Sequence, residues 1–326
     1  MSTPLPDQRD DALDVSVVVI AYNEAARIAA CLTALTAQQY VGTFEVVVVD
    51  DGSTDATAAI ADGFGGNVRV VRQGSNRGRG AARARGVAES RGALVGFVDA
   101  DCTVPANWLD ACTAAVRNGA GAVSGIAVPD GDVAVIARIT GADPRPVRGS
   151  GTITGNNVVF DGGVLRRTGF DPNARLGEDF RLERRLTRAG VPLQCLSDLH
   201  VRHDERKTYR KALTWLYESG RDATALLAEF REVRTPDIAW MVWVSSVVGA
   251  LAWGCSGGGL WLLAGPVVVA AAISGAHVAT RFTIRRPVRW VWAQLANLPL
   301  MLCYLVGRCI GVVNLAWRAA RGRVAP

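Results

Sequence analysis

Four apolar runs, "VSVVVIAY" (15–22), "FEVVVVD" (44–50), "NVRVVRQ" (67–73) and "ALVGFVD" (93–99), alternate with segments of helical spacing. The intervening segments are "NEAARIAACLTALTAQ" (23–38), with Asn23 as a cap, then "STDATAAIADGF" (53–64) and "GRGAARARGVAES" (78–90). Runs that are apolar throughout suit strands buried on both faces, and helical crossovers make such strands parallel. The spacing therefore predicts an α/β domain with a mostly parallel central sheet. Further on it predicts a helix near 105–118, a strand at 121–128, a polar insertion over 129–151, a charged helix within 170–190, and a last strand leading into an amphipathic helix.

Charge divides the chain into two regions. Every Asp and Glu lies at or before Asp237, whereas residues 238–326 hold eight Arg and no acid. Removing those eight from the formal +6 leaves −2 for residues 1–237, so the basic character belongs to an apolar tail. Arg beside apolar spans is a membrane-surface signal, and no basic stripe with interleaved aromatics marks a nucleic-acid surface. Seven scattered Cys without a CxxC pair fit a reduced cytosolic domain. The expected organisation is a loose tail over 1–14, the α/β domain over 15–237 and a membrane-associated helical region over 238–326.

Within that region, 238–255 and 258–280 are each long enough to cross a bilayer. Arg231 and Arg234 precede the first, and Arg281, Arg285, Arg286 and Arg289 follow the second. The positive-inside rule then makes them a hairpin with both ends in the cytoplasm. The third segment, 290–317, contains Pro299 and Arg308 and leads into Arg318, Arg321 and Arg323. A crossing would export that basic end and place Arg308 in hydrocarbon at a cost of about 2.5 kcal/mol or more, so an interfacial or re-entrant segment is favoured over a third span.

The strands end in polar residues: Tyr22-Asn23-Glu24, Asp50-Asp51, and Asp99 with Asp101. Carboxyl ends of parallel strands converge on one edge, where such sheets bind ligands. A pair such as Asp99/Asp101 either turns the chain or holds a cation. Arg79 and Arg83, four apart on one helix face, suit either a phosphate or a solvated surface.

Taken in order, "AYNE", "VVVVDDGSTD", "NRGRGAARARG", "FVDADC", "TGNN" and "GED" resemble the family 2 glycosyltransferases over roughly residues 15–221. The resemblance implies a Rossmann-like, A-type nucleotide-sugar-binding (GT-A) domain and inverting transfer from a nucleoside diphosphate sugar. It implies that Ala21, Tyr22, Glu24, Asp50, Asp51, Arg79, Arg83, Asp99 and Ala100 line the donor site. Asp99, Asp101 and His203 match positions that hold Mg²⁺ or Mn²⁺, His203 better than His200. Asp179 matches the general base, with Glu178 in support. Gly155 and Asn156 match the acceptor side, although the basic pair that often follows is replaced by Phe160 and Asp161.

The Gln-x-x-Arg-Trp signature of processive synthases is absent, and "LTWLYESGR" stands in that region. One sugar per encounter is the expectation, with a lipid-linked or cell-envelope glycan as acceptor, membrane lipid as a partner and no nucleic acid. The catalytic domain is expected on the cytoplasmic side of the cytoplasmic membrane. The alternative acceptor is the phosphate of a polyprenyl lipid.

Overall fold

The computed structural model describes residues 13–129, 143–144, 153–174, 177–204, 208–231, 233–255, 264–283 and 287–321. The expectations for residues 1–12, for most of 129–151, for 258–263 and for Arg285, Arg286 and Arg323 lie outside the described residues. In chain order the elements are β1 (Val15–Ala21), α1 (Ile28–Thr36), β2 (Phe44–Asp50), α2 (Thr57–Asp62), β3 (Val68–Arg72), α3 (Arg79–Glu89), β4 (Leu94–Asp99), β5 (Cys102–Thr103) and α4 (Trp108–Arg117). Then come β6 (Ala122–Pro129), β7 (Asp143–Pro144), β8 (Asn157–Asp161), α5 (Gly162–Thr168), α6 (Glu178–Arg188), β9 (Leu193–His203), α7 (Tyr209–Phe230), α8 (Thr235–Cys255), α9 (Ala264–Arg281), β10 (Phe282–Thr283) and α10 (Pro287–Ala320).

The chain divides into two compact units: Met1–Val128 with Pro146–Asp204, and Pro129–Arg145 with Glu205–Pro326. Composition changes at Asp237, but the packing boundary lies earlier, because α7 packs along α10 in the second unit.

In the first unit the sheet order is β3-β2-β1-β4-β8-β6-β9-β5. β3, β2, β1 and β4 are parallel, whereas β8 runs antiparallel to β4 and β6, and β5 to β9. Every residue of β1 is buried, and its side chains alternate between two cores. Val15, Val17 and Val19 join Ile28, Leu32 and Trp108 on one face, while Val18 and Ile20 join Phe97, Leu182 and Leu186 on the other. Such two-sided burial is what continuous apolar runs require, since either face left open would expose valines to water.

Parallel register aligns the carboxyl ends: Ala21 lies opposite Asp50, and Ile20 opposite Asp99. After β3 the chain returns to the other side of β1 to form β4, and that switch opens a crevice between β1 and β4. β8 starts at the same edge, since Asn157 pairs with Val98.

Asn23 does not cap α1, which begins only at Ile28. It adopts a left-handed φ of 55°, and its side-chain oxygen accepts from Thr54 N at 2.8 Å. Its own N–H donates to Ser53 Oγ at 3.0 Å. Asn offers the backbone such local bonds in competition with helix, and here they tie together the loops after β1 and β2.

In the second unit, α10 is one unbroken 34-residue helix with Pro299 inside it. The third segment, 290–317, lies wholly within this helix. Arg308 is not the lone charge that the composition suggested. Its Nη2 lies 2.6 Å from Asp237 Oδ1, with both side chains fully buried, and Nη1 donates to Tyr304 at 3.1 Å. Asp237 is the last acid of the chain, so the partner that Arg308 needs lies just before the acid-free region.

Gly307 and Gly311 bring α10 onto the backbone of α7. A Cβ on Gly311 would lie 2.5 Å from Arg221 O, and one on Gly307 would collide with Tyr217 O. Small residues four apart permit such close helix contact. Tyr209 OH adds a bond to Ala296 O at 2.7 Å, so α7 and α10 run side by side in the same direction.

Candidate active site

The convergent edge of the first sheet carries the strand-end residues. Tyr22 projects there 44% exposed, whereas Ala21 and Ala100 are buried and Ala100 N bonds Ile20 O at 3.4 Å. Asp50 is buried and accepts from Ser53 N at 3.3 Å. Asp51 is turned toward the loop before α3, accepting from Gln73 Nε2 at 3.0 Å, Arg77 N at 2.8 Å and Gly78 N at 2.9 Å. Burial nonetheless holds its carboxyl above the usual range, outweighing the two backbone donors.

β4 ends at Asp99 and the chain turns through residues 100 and 101, so the two carboxylates take separate partners. Asp99 Oδ1 accepts from Arg83 Nη2 at 2.8 Å. Asp101 Oδ2 lies 3.4 Å from His203 Nε2, a neighbour delivered by the pairing of Cys102 with His203 between β5 and β9. His203 is the terminal residue of β9, which explains why it reaches this edge.

Glu24 belongs to the same group. It is bonded to Arg27 Nε at 2.6 Å, yet its carboxyl is raised, first by burial and further by the charges of Asp101 and Asp99. Asp99 is raised too, by burial above all and by Asp101, against the opposing pull of Arg83. Three carboxylates gathered at one edge favour a cation among them.

The ligating atoms of Asp101, Cys102 and His203 lie within 4.8 Å of one another. Burial, with Asp101 and Asp99 close by, pushes the Cys102 thiol well up, so it stays protonated. The carboxylate and imidazole then form an oxygen and nitrogen set that fits Mg²⁺ or Mn²⁺, with Asp99 and Glu24 adding negative charge.

Glu178 and Asp179 open α6 after Gly177 and differ in environment. Glu178 is buried against Arg83 Nη1, with Arg79 Nε 3.8 Å away. Asp179 is partly exposed, and its Oδ1 accepts from Phe180 N at 2.8 Å. Asn156 O accepts from Asp99 N at 3.3 Å and Gly155 O from Arg83 Nη2 at 3.0 Å, so the "TGNN" segment adjoins Asp99 and Arg83. Phe160 and Asp161 serve the fold: Phe160 stacks edge-on with Phe97 in the core, and Asp161 caps α5 by accepting from Val164 N at 2.7 Å.

Arg79 and Arg83 part company. Arg79 is 44% exposed, whereas Arg83 is 1% exposed among carboxylates, neither a solvated charge nor an open phosphate ligand. The signal available in the sequence was its setting, since Gly80, Ala81, Ala82 and Gly86 mark the buried face of α3.

The family description "Glycosyl transferase family 2" matches residues 16–163, the stretch that builds β1 to β8. Residues 16–163 therefore form a glycosyl transferase family 2 domain. It is 38% identical over 100 residues to the glycosyltransferase AglE of Haloferax volcanii, covering 29% of this chain and 33% of that one. To the dolichyl-phosphate β-glucosyltransferase of Drosophila melanogaster it is 40% identical over 102 residues, 28% of this chain and 31% of that one. The matched segments thus span about a third of these relatives' lengths. Among solved structures, the mannosyltransferase PcManGT of Pyrobaculum calidifontis, in complex with GDP-Man and Mn²⁺, superposes with a TM-score of 0.60 at 20% identity, covering 91% of this chain and 87% of that one. That likeness is one of fold, and it identifies the first unit as a GT-A domain.

Proposed function

We propose that this glycosyltransferase moves one sugar at a time from a nucleoside diphosphate sugar to a hydroxyl of a lipid-linked or cell-envelope glycan, with inversion and with Mg²⁺ or Mn²⁺. The observation that carries this is Arg83, which bonds both Asp99 and Glu178 and so joins the donor-side acids to the acceptor-side pair in one site. A divalent cation, when bound, supplies positive charge to the diphosphate as it departs. Asp101 and His203 would hold it. Tyr22 offers a ring for the base at the crevice mouth. Asp179, partly exposed beside its buried neighbour, takes the proton from the attacking hydroxyl.

The polyprenyl-phosphate alternative is favoured by one observation, the resemblance to a relative named for a dolichyl-phosphate acceptor. Offering the purified protein a polyprenyl phosphate and a polyprenyl-linked glycan in parallel separates the two. Product on the glycan hydroxyl is the expected result, and product on the phosphate alone would replace this reading with the alternative.

Thr235–Trp253 and Trp290–Ala320 are apolar and long enough to cross a membrane, and Ala264–Thr280 is a shorter apolar helix. The proposed location is the cytoplasmic membrane, with the catalytic domain in the cytoplasm. For α10 an in-plane position is proposed. α7 carries Arg210, Lys211, Glu218 and Glu229 on exposed positions and lies beside α10 for roughly 22 Å, at 1.5 Å per residue from Tyr209 to Thr224. Were α10 to cross, that charged helix would sit at hydrocarbon depth. A cysteine placed at Ala320 is expected to resist an impermeant maleimide in intact cells and to react once they are opened. Labelling from outside would mean a third crossing.

A further inference from the structure

Arg83 makes contacts that neither a phosphate ligand nor a surface charge would make. Nη1 pairs with Glu178 Oε1, while Nη2 bonds Asp99 Oδ1 at 2.8 Å and Gly155 O at 3.0 Å. Phe170 stands 5.9 Å from its Cζ. A Cβ on Gly155 would lie 2.8 Å from Nη2 and 2.9 Å from Cζ, so a side chain there would push the guanidinium aside. Both ends of the fork are engaged and the side chain is 1% exposed, which leaves it no face to offer a diphosphate.

We infer that Arg83 is a positioning residue: it fixes the distance between Asp99 on the donor side and the Glu178–Asp179 pair on the acceptor side, and touches neither substrate. The inference rests on the active-site assignment under Proposed function. Asp179 follows Glu178 directly, so the Glu178–Arg83 pair sets where α6 begins and hence where the proposed base stands. A planar guanidinium can hold two carboxylates at a set separation, whereas the single ammonium of lysine cannot.

The test is Arg83→Lys in the full chain, with donor affinity measured by calorimetry and turnover measured separately. Donor affinity within about threefold of the parent and turnover lower by ~10²-fold is the expected split, the scale of a misplacement near 1 Å. A tenfold loss of donor affinity with turnover held would make Arg83 a donor ligand and overturn the inference, as would parent-like turnover. Should Arg83→Lys fail to fold, Gly155→Ala displaces the guanidinium without altering a charge, and the same split is expected from it. Parent-like turnover in Gly155→Ala would likewise overturn the inference. Asp101→Ala and Asp179→Asn run alongside. If both transfer as the parent does, the active-site assignment itself fails; if both lose transfer and Arg83→Lys does not, only the role of Arg83 fails.

Discussion

Asp179→Asn is expected to leave donor affinity near that of the parent protein while turnover falls by ~10²–10⁴-fold, the usual loss when a general base is removed. The carboxylate accepts from Phe180 N through Oδ1, a bond that the amide oxygen of asparagine can keep, so the start of α6 survives the change. What asparagine cannot do is take a proton from a hydroxyl. Calorimetry with the donor, set beside initial rates, separates binding from chemistry. The outcome also bears on the acceptor: a lipid phosphate is already ionised and needs no base, so retained turnover would remove Asp179 from the mechanism and favour the phosphate acceptor.

Asp101→Ala is expected to lower transfer by ~10³-fold or more, the scale of several kcal/mol of lost charge stabilisation. Asp101 is the carboxylate that faces His203, whereas Asp99 is bonded to Arg83. Removing it leaves one imidazole where a carboxylate and an imidazole stood together. Donor affinity should then cease to respond to Mn²⁺. Parent-like metal dependence of donor binding in this variant would exclude Asp101 as a ligand.

Much of the first unit was legible in the sequence because strands buried on both faces need unbroken apolar runs, and β1, β2 and β4 carry such runs. The meeting of Asp50 and Asp99 at one edge followed from parallel pairing. Hidden from the sequence were features set by contacts between distant residues. Asn23 looked like a cap, but its side chain is satisfied by Thr54, thirty-one positions on. Arg83 looked interchangeable with Arg79 until α3 was seen to turn it inward toward Glu178, ninety-five positions away. Arg308 looked too costly for a helix interior, and only tertiary packing supplied Asp237. Helical periodicity could not have shown that Gly307 and Gly311 face α7, although their spacing of four is the mark of a close helix contact.

The most direct test of metal-assisted, inverting sugar transfer is to incubate the full chain, in lipid, with UDP-, GDP- and dTDP-sugars and a polyprenyl-linked glycan. The anomeric configuration of the product is then read by NMR, with Mn²⁺ present and again with a chelator. One donor is predicted to turn over only with the metal, giving a glycoside whose configuration is opposite to that of the donor. Transfer that persists undiminished in chelator, or a product that retains the donor's configuration, would contradict the account.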